Sequence, residues 1–274
     1  MDSRVDGLGL GSIQEINALP REVAEALYAR LVPEELLDRF AIDPSTLCDK
    51  AGARLVRVTA PADKPWARVE VRASLEDRDP ALLVDVEMSP FSVPELAFVQ
   101  ITDPVGPRYA IDRDPDGRDT LFGTAARNID EERRAMQGGL APGQVRRGLR
   151  LLSRVLDAME GFCALIGKEI YLIEPLFYHS AVLYERRGCG YLLGRDVMEE
   201  IHAGFAEGGP LAKALDGSSA FRHPQAAQSV RGRSWALHDG LAGSLWGGAG
   251  VGGVKMYKAA GRLAGVNTFP GAPY

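Results

Sequence analysis

The stretch from Pro142 to Gly190 constrains the fold of this chain most. Leu149, Leu152, Leu156, Met159, Cys163 and Ile166 recur at helical spacing, and Leu151, Val155, Ala158, Phe162 and Leu165 widen the stripe. An apolar face that broad belongs to a helix laid against a sheet. Pro142 suits a first helical turn, because proline has no amide to leave unsatisfied, and Gly167 suits the stop. The pattern therefore predicts a helix from Pro142 to Gly167 and a buried strand at Glu169–Ile173. A second helix follows over Phe177–Arg187, closed by Gly188, then a strand at Tyr191-Leu192-Leu193.

The residues before this stretch change period once. Residues 1–19 are Gly-rich and expected to be partly irregular. Pro20 opens a helix carrying Val23, Leu27 and Leu31, and Pro33 opens another with Leu36, Leu37 and Phe40. After Asp43-Pro44-Ser45 the apolar residues alternate. Strands are expected around Leu55–Val58, Trp66–Val71, Leu82–Val86 and Leu96–Ile101, as an antiparallel meander, with a fifth at Arg108–Ile111. Asn128–Gln137 reads as an amphipathic helix ended by Gly138-Gly139. Beyond Gly190, Asp196 is the expected cap of a helix reaching Phe205, and Pro210 opens a short one. From residue 217 the chain reads as irregular, with strands at Trp235–His238 and Val254–Tyr257 and a loop over Gly243–Gly253. The expected class is α+β, an antiparallel meander sheet with a long central helix and extra C-terminal elements. The expected division is a domain over 1–216 and an extension over 217–274.

Composition excludes some functions. The 32 Lys and Arg against 37 Asp and Glu give a net charge of -5, which argues against general nucleic-acid or anionic-membrane binding. No apolar run reaches the roughly 18 residues of a membrane helix. The N-terminal residues show neither a basic start nor an apolar signal core. Cys48, Cys163 and Cys189 form no CxxC pair, so reduced thiols in a cytoplasmic protein are the expected setting.

The segment Ser180-Ala181-Val182-Leu183-Tyr184-Glu185-Arg186-Arg187-Gly188-Cys189, together with the order of elements, resembles the GNAT-type (Gcn5-related) acyltransferases. It is similar to the last conserved helix of that family, with small residues, Leu-Tyr-Glu, basic residues and a closing Gly before a strand. The resemblance implies a GNAT-like fold and an acyl-CoA cofactor such as acetyl-CoA. It implies direct acyl transfer to a small-molecule or peptide amine. Tyr184 would protonate the departing thiolate, and Glu174, at the end of a strand, would act as general base. The backbone over Gln144–Arg150, with Gln144, Arg146, Arg147, Gly148 and Arg150, would hold the pyrophosphate. Val145 stands where the family has Gln or Arg, Arg150 where it has Gly or Ala, and Phe177 where an Asn is frequent.

Other residue groups carry alternatives. Arg146, Arg147, Arg150 and Arg154 crowd the predicted start of the long helix, where cations oppose the helix dipole and one another. Either an anionic ligand settles there, or the arginines pair with Glu131, Glu132, Asp157 or Glu160. Asp112 to Gly117 matches the first half of a calcium loop, yet Gly123 stands where the twelfth-position carboxylate would be, and Pro-Asp-Gly is also a turn signal. Glu199 and His202 form an E-x-x-H pair that, with His179 and Glu174, would make a metal centre if the fold converged them. Cys163 and Cys189 read as core. Phe221 to Trp235, with Arg231 and Arg233, reads as the lining of a site or a protein-partner surface. Three functions stay open: an acyl-CoA-dependent N-acyltransferase, a non-catalytic binding or scaffold protein with the same fold, and a His/Glu metalloenzyme.

Overall fold

A computed structural model describes residues 9–243 and 253–274. The chain forms two compact units, each interrupted by the other. Unit 1 holds Met1–Pro104, Gly148–Ile173 and Ala259–Gly261; unit 2 holds Val105–Arg147, Glu174–Lys258 and Arg262–Tyr274. A boundary at 216/217 thus falls inside unit 2. The segment expected as a loop at Gly243–Gly253 lies, between its two ends, outside the described residues.

Unit 1 begins with α1 (Ile13–Asn17), α2 (Arg21–Tyr28) and α3 (Glu34–Arg39). Ser12 caps α1 by accepting from the Glu15 amide, so the Gly-rich start is ordered sooner than its composition suggests. Next come β1 (Val56–Thr59), β2 (Trp66–Val71), β3 (Leu82–Met88) and β4 (Pro94–Ile101), an antiparallel meander as the alternation predicts. Ala67, Val69 and Val71 of β2 and Leu82, Val84 and Val86 of β3 are buried. The alternate positions carry a bidentate Arg68–Asp85 pair across the strands, with both contacts at 2.7 Å. α5 (Leu152–Leu165) and β5 (Ile170–Ile173) complete the unit, with β5 parallel to β4. α5 buries Val155, Leu156, Met159, Phe162 and Cys163, and Phe162 stacks on Tyr28 of α2 at 5.6 Å between ring centroids. Gly167, at φ 64°, turns the chain so that the Lys168 amide donates to the Cys163 carbonyl, the stop its sequence implies.

The start of that helix is not where the sequence places it. Pro142 lies ten residues before α5, in a turn in which the Ala141 amide donates to Gln144 Oε1 at 2.8 Å. Gly143 at φ 78° and Arg150 at φ 62° are both left-handed, and either would break a right-handed helix. A side chain at 143 would also strike the Phe177 ring, 2.4 Å from the added carbon.

Unit 2 contains α4 (Ile129–Gln137), α6 (Tyr178–Glu185), β6 (Gly190–Leu193), α7 (Arg195–Gly204), α8 (Pro210–Lys213), α9 (Val230–His238) and β7 (Lys255–Ala259), the last strand ending just outside it. β6 and β7 pair antiparallel, with Gly190 opposite Tyr257. A core of Ile111, Ala135, Leu140, Val145, Phe221 and Trp235 sits under α4 and α9. Three expectations are corrected here. Trp235–His238 is the end of α9, not a strand; Val230, Arg233, Ser234, Trp235, Ala236 and Leu237 are all buried, and a helix buried nearly all round shows no amphipathic stripe. Arg108–Ile111 is not a strand but a segment tied by the Tyr109 amide to the Val145 carbonyl. Gly194, in left-handed geometry, caps α7, and Asp196 lies in its first turn. Helices with a mixed sheet make the chain α+β.

Candidate functional site

The irregularity of unit 1 is concentrated where β4 meets β5. Pairing is limited to Glu95 with Leu172 and Leu96 with Ile173. β5 then ends and Pro175 follows, whereas β4 runs on to Ile101. Immediately past the last pair the register between β3 and β4 shifts: Val86 faces Leu96 and Asp85 faces Phe98, so Ala97 is an extra residue. A bulge of this kind bends and twists the strand that carries it. From Ala97 onward the residues of β4 are half-buried, whereas Pro94, Glu95 and Leu96 are buried. The pairing of β4 with β5 thus stops one residue before the bulge at Ala97, and β4 continues past the end of β5.

The loop entering α5 lies against the far end of the same strand. A side chain at Gly148 would come within 3.2 Å of the Ile101 carbonyl, so glycine permits this close approach. α5 has no side-chain cap at Leu151, and the first amides of any α-helix lack partners within it. Arg150, exposed and left-handed, sits at its threshold. Together these supply uncapped amides, a cation and an opened strand, a combination suited to an extended ligand bearing an anionic group.

The predicted residues divide between the two units. Gln144, Arg146 and Arg147 belong to unit 2, and Gly148 and Arg150 to unit 1. Arg146 donates to the Gly106 carbonyl, Arg147 donates to the Gly138 carbonyl at 2.9 Å, and Arg154 pairs with Glu35 at 2.6 Å and Asp157 at 3.7 Å. Asp157 is thus the one carboxylate of the four expected partners that these arginines use in the described contacts. Glu131 pairs with Arg134, Glu132 with Arg127, and Glu160 accepts from the Gly261 amide at 2.7 Å.

Tyr184 lies on α6 in unit 2, buried. Burial, with a smaller contribution from nearby Cys189, raises its phenol above the ordinary 10, so it keeps its proton at neutral pH. Glu174 follows β5 and is partly exposed, with its carboxylate 4.0 Å from the Lys255 ammonium. The metal candidates do not converge. His179 is buried and bonded through Nδ1 to Ser234 Oγ at 2.9 Å; Glu199 is paired with Arg195; His202 Nδ1 meets Arg233 at 3.2 Å. Among the described residues no group of three or more His, Cys, Asp or Glu is placed to hold a metal. In the Asp112–Gly117 loop, Asp114 Oδ1 accepts from the Asp116 and Arg118 amides, and Asp112 pairs with Arg108 at 2.7 Å. Cys163 is core, as expected, and burial pushes its thiol up to about 12.

The bulge at Ala97 and the early end of the β4–β5 pairing are not legible in the sequence, because neither leaves a mark in hydrophobic alternation. The chain matches no known protein-family model, no curated protein and no solved structure.

Proposed function

We propose that the chain is an acyl-CoA-dependent N-acyltransferase whose cofactor lies in unit 1 along the part of β4 that runs past the end of β5. The observation that carries this reading is the termination of β4–β5 pairing at Leu96 and Ile173 beside the bulge at Ala97. An extended pantetheine-like arm can be held by strand-type hydrogen bonds along β4, as peptides add to sheet edges. The pyrophosphate would meet the uncapped amides of α5 and the Arg150 guanidinium. In the reaction, the amine nitrogen attacks the thioester carbonyl and gives up its proton to solvent, the C–S bond breaks, and the departing thiolate takes up a proton from solvent.

The test is thermal unfolding with acetyl-CoA beside acetyl-pantetheine, which lacks the pyrophosphate. Ligand at 100 times its Kd adds about 2.7 kcal/mol to the folded state, a rise of several degrees in Tm. Acetyl-CoA should give that rise, acetyl-pantetheine a much smaller one, and Arg150→Glu should weaken acetyl-CoA about tenfold, the loss expected when a charge-assisted phosphate contact is reversed. No shift with millimolar acetyl-CoA sinks the reading and leaves a scaffold as the better account.

A further inference from the structure

Unit 2 holds a cavity of about 480 Å3 that the acyl-CoA reading does not use. This lies in the range of small-molecule sites, roughly 300–1,000 Å3. Its inner wall is aromatic: Phe221 and Trp235 stack at 5.1 Å and 21° and are almost wholly buried. The Trp235 ring nitrogen is already committed to the Leu140 carbonyl at 2.8 Å, which leaves only the indole's apolar surface for a ligand. Met136 and Tyr274 extend that surface.

The polar side of the cavity is one-sided. Arg231 stands at the first turn of α9, its guanidinium carbon 5.0 Å from the centre of the Tyr274 ring. Its Nε is shut off from solvent and has no hydrogen-bond partner among the described residues. A buried donor left in that state costs roughly 1–3 kcal/mol, so the arrangement gains when an acceptor arrives. His223 lines the same cavity, and its Nδ1 accepts from the Gln225 amide at 3.3 Å. That bond fixes the ring proton on Nε2, a second donor. Among the described residues no Asp or Glu side chain lines the cavity.

We propose that this cavity binds a small carboxylate with a flat apolar body, its carboxylate against Arg231 and His223 and its body against the Phe221–Trp235 wall. A planar fork of donors matches a carboxylate in geometry as well as charge. The same side chains give a cation no carboxylate to pair with and give a neutral amide no charge-assisted bond. The site is confined to unit 2 and is independent of any cofactor in unit 1.

Titration of the full-length protein, without coenzyme A, with benzoate, benzamide and benzylamine tests this through tryptophan fluorescence and calorimetry. Benzoate should bind saturably and at least tenfold more tightly than its neutral and cationic counterparts. Arg231→Met should remove that preference, and Arg231→Lys should retain part of it. Met136→Trp, which fills the cavity and leaves the cation in place, should abolish binding and decides the matter if Arg231→Met does not fold. Equal affinity for benzoate and benzamide, no binding of benzoate, or unchanged binding in Met136→Trp would overturn the proposal.

Discussion

Glu185 and Thr268 are joined twice, the Thr268 amide donating to Oε2 at 2.9 Å and the Thr268 hydroxyl to Oε1 at 2.7 Å. Both residues are buried, and the Tyr191 hydroxyl donates to the same carboxylate. The last residue of α6 thereby ties down the segment after β7 within unit 2. Glu185→Ala strands the two buried donors of Thr268 and the half-buried Tyr191 hydroxyl and should cost about 2–4 kcal/mol, near the upper end for hydrogen bonds to a charged group. Thr268→Val removes only the hydroxyl and should cost about 1 kcal/mol. Urea denaturation measures both, and limited proteolysis of the first should cut within 262–274. A Glu185→Ala protein as stable as the parent would show that the carboxylate does not fasten this segment.

Glu132 is the buried centre of an ion-pair group. Arg127 reaches it at Nε, 3.0 Å away, and also pairs with Asp239 at 2.9 Å, while His238 Nε2 lies 3.3 Å from Oε1. Burial alone would raise the Glu132 carboxyl, but hydrogen bonds and charge from His238 and Arg127 more than offset it and hold it below the ordinary 4.5. The unfolded chain therefore takes up this proton at a higher pH than the folded one. The stabilisation is complete above about 4.5 and is lost as pH falls through the folded value. Glu132→Gln leaves Arg127 half-paired and should cost about 3–5 kcal/mol at pH 7, with the difference from the parent shrinking in acid. A constant difference from pH 7 to pH 3 would contradict the assignment.

His179 gives an acid sensitivity that starts nearer neutrality. Burial, helped by Arg231 and His238, lowers its pKa from 6.5 to about 3. Below 6.5 the unfolded chain binds a proton that the folded chain refuses, so stability falls with pH at up to about 1.4 kcal/mol per unit. Between pH 7 and pH 5 this group should remove about 2 kcal/mol, before carboxylates of ordinary pKa titrate. Asparagine can keep a bond to Ser234 without titrating. His179→Asn should therefore flatten the stability profile between pH 7 and 5, as read from urea midpoints at several pH values. A slope identical to the parent's would place the sensitivity elsewhere.

The same contrast explains what could be read in the sequence. The meander was legible because its two faces differ: Val69 and Val84 face the core while Arg68 and Asp85 pair on the other side. α4 was legible from its amphipathic pattern and the glycines that follow it, and the end of α6 from Gly188. α9 was not, because Arg233 and Ser234 are buried with Trp235 and hide the helical period. The start of α5 was misjudged because Pro142 and the continuous Leu stripe carry no sign of left-handed backbone at Gly143 and Arg150. Of the candidate site, the sequence singles out Gly148 and Arg150, but the bulge at Ala97 and the end of pairing beside it arise from strand register, a long-range property that no local window contains.

Arg150 itself gives the last prediction. At φ 62° its backbone occupies the left-handed region, which costs a side-chain-bearing residue roughly 1–2 kcal/mol and costs glycine little. Glycine also widens the unfolded ensemble, which returns part of that gain. Arg150→Gly should therefore stabilise the protein by about 0.5–1 kcal/mol, a rise of roughly 1–3 °C in Tm for a chain of this size. If the guanidinium serves a phosphate, the same variant should lose affinity for acetyl-CoA, so stability and binding would move in opposite directions. Arg150→Ala separates the two effects, since it removes the charge and keeps the strain: it should weaken binding as much as glycine does without raising Tm. A glycine variant less stable than the parent would mean that contacts of the arginine side chain, and not the strain of its backbone, dominate at the entrance to α5.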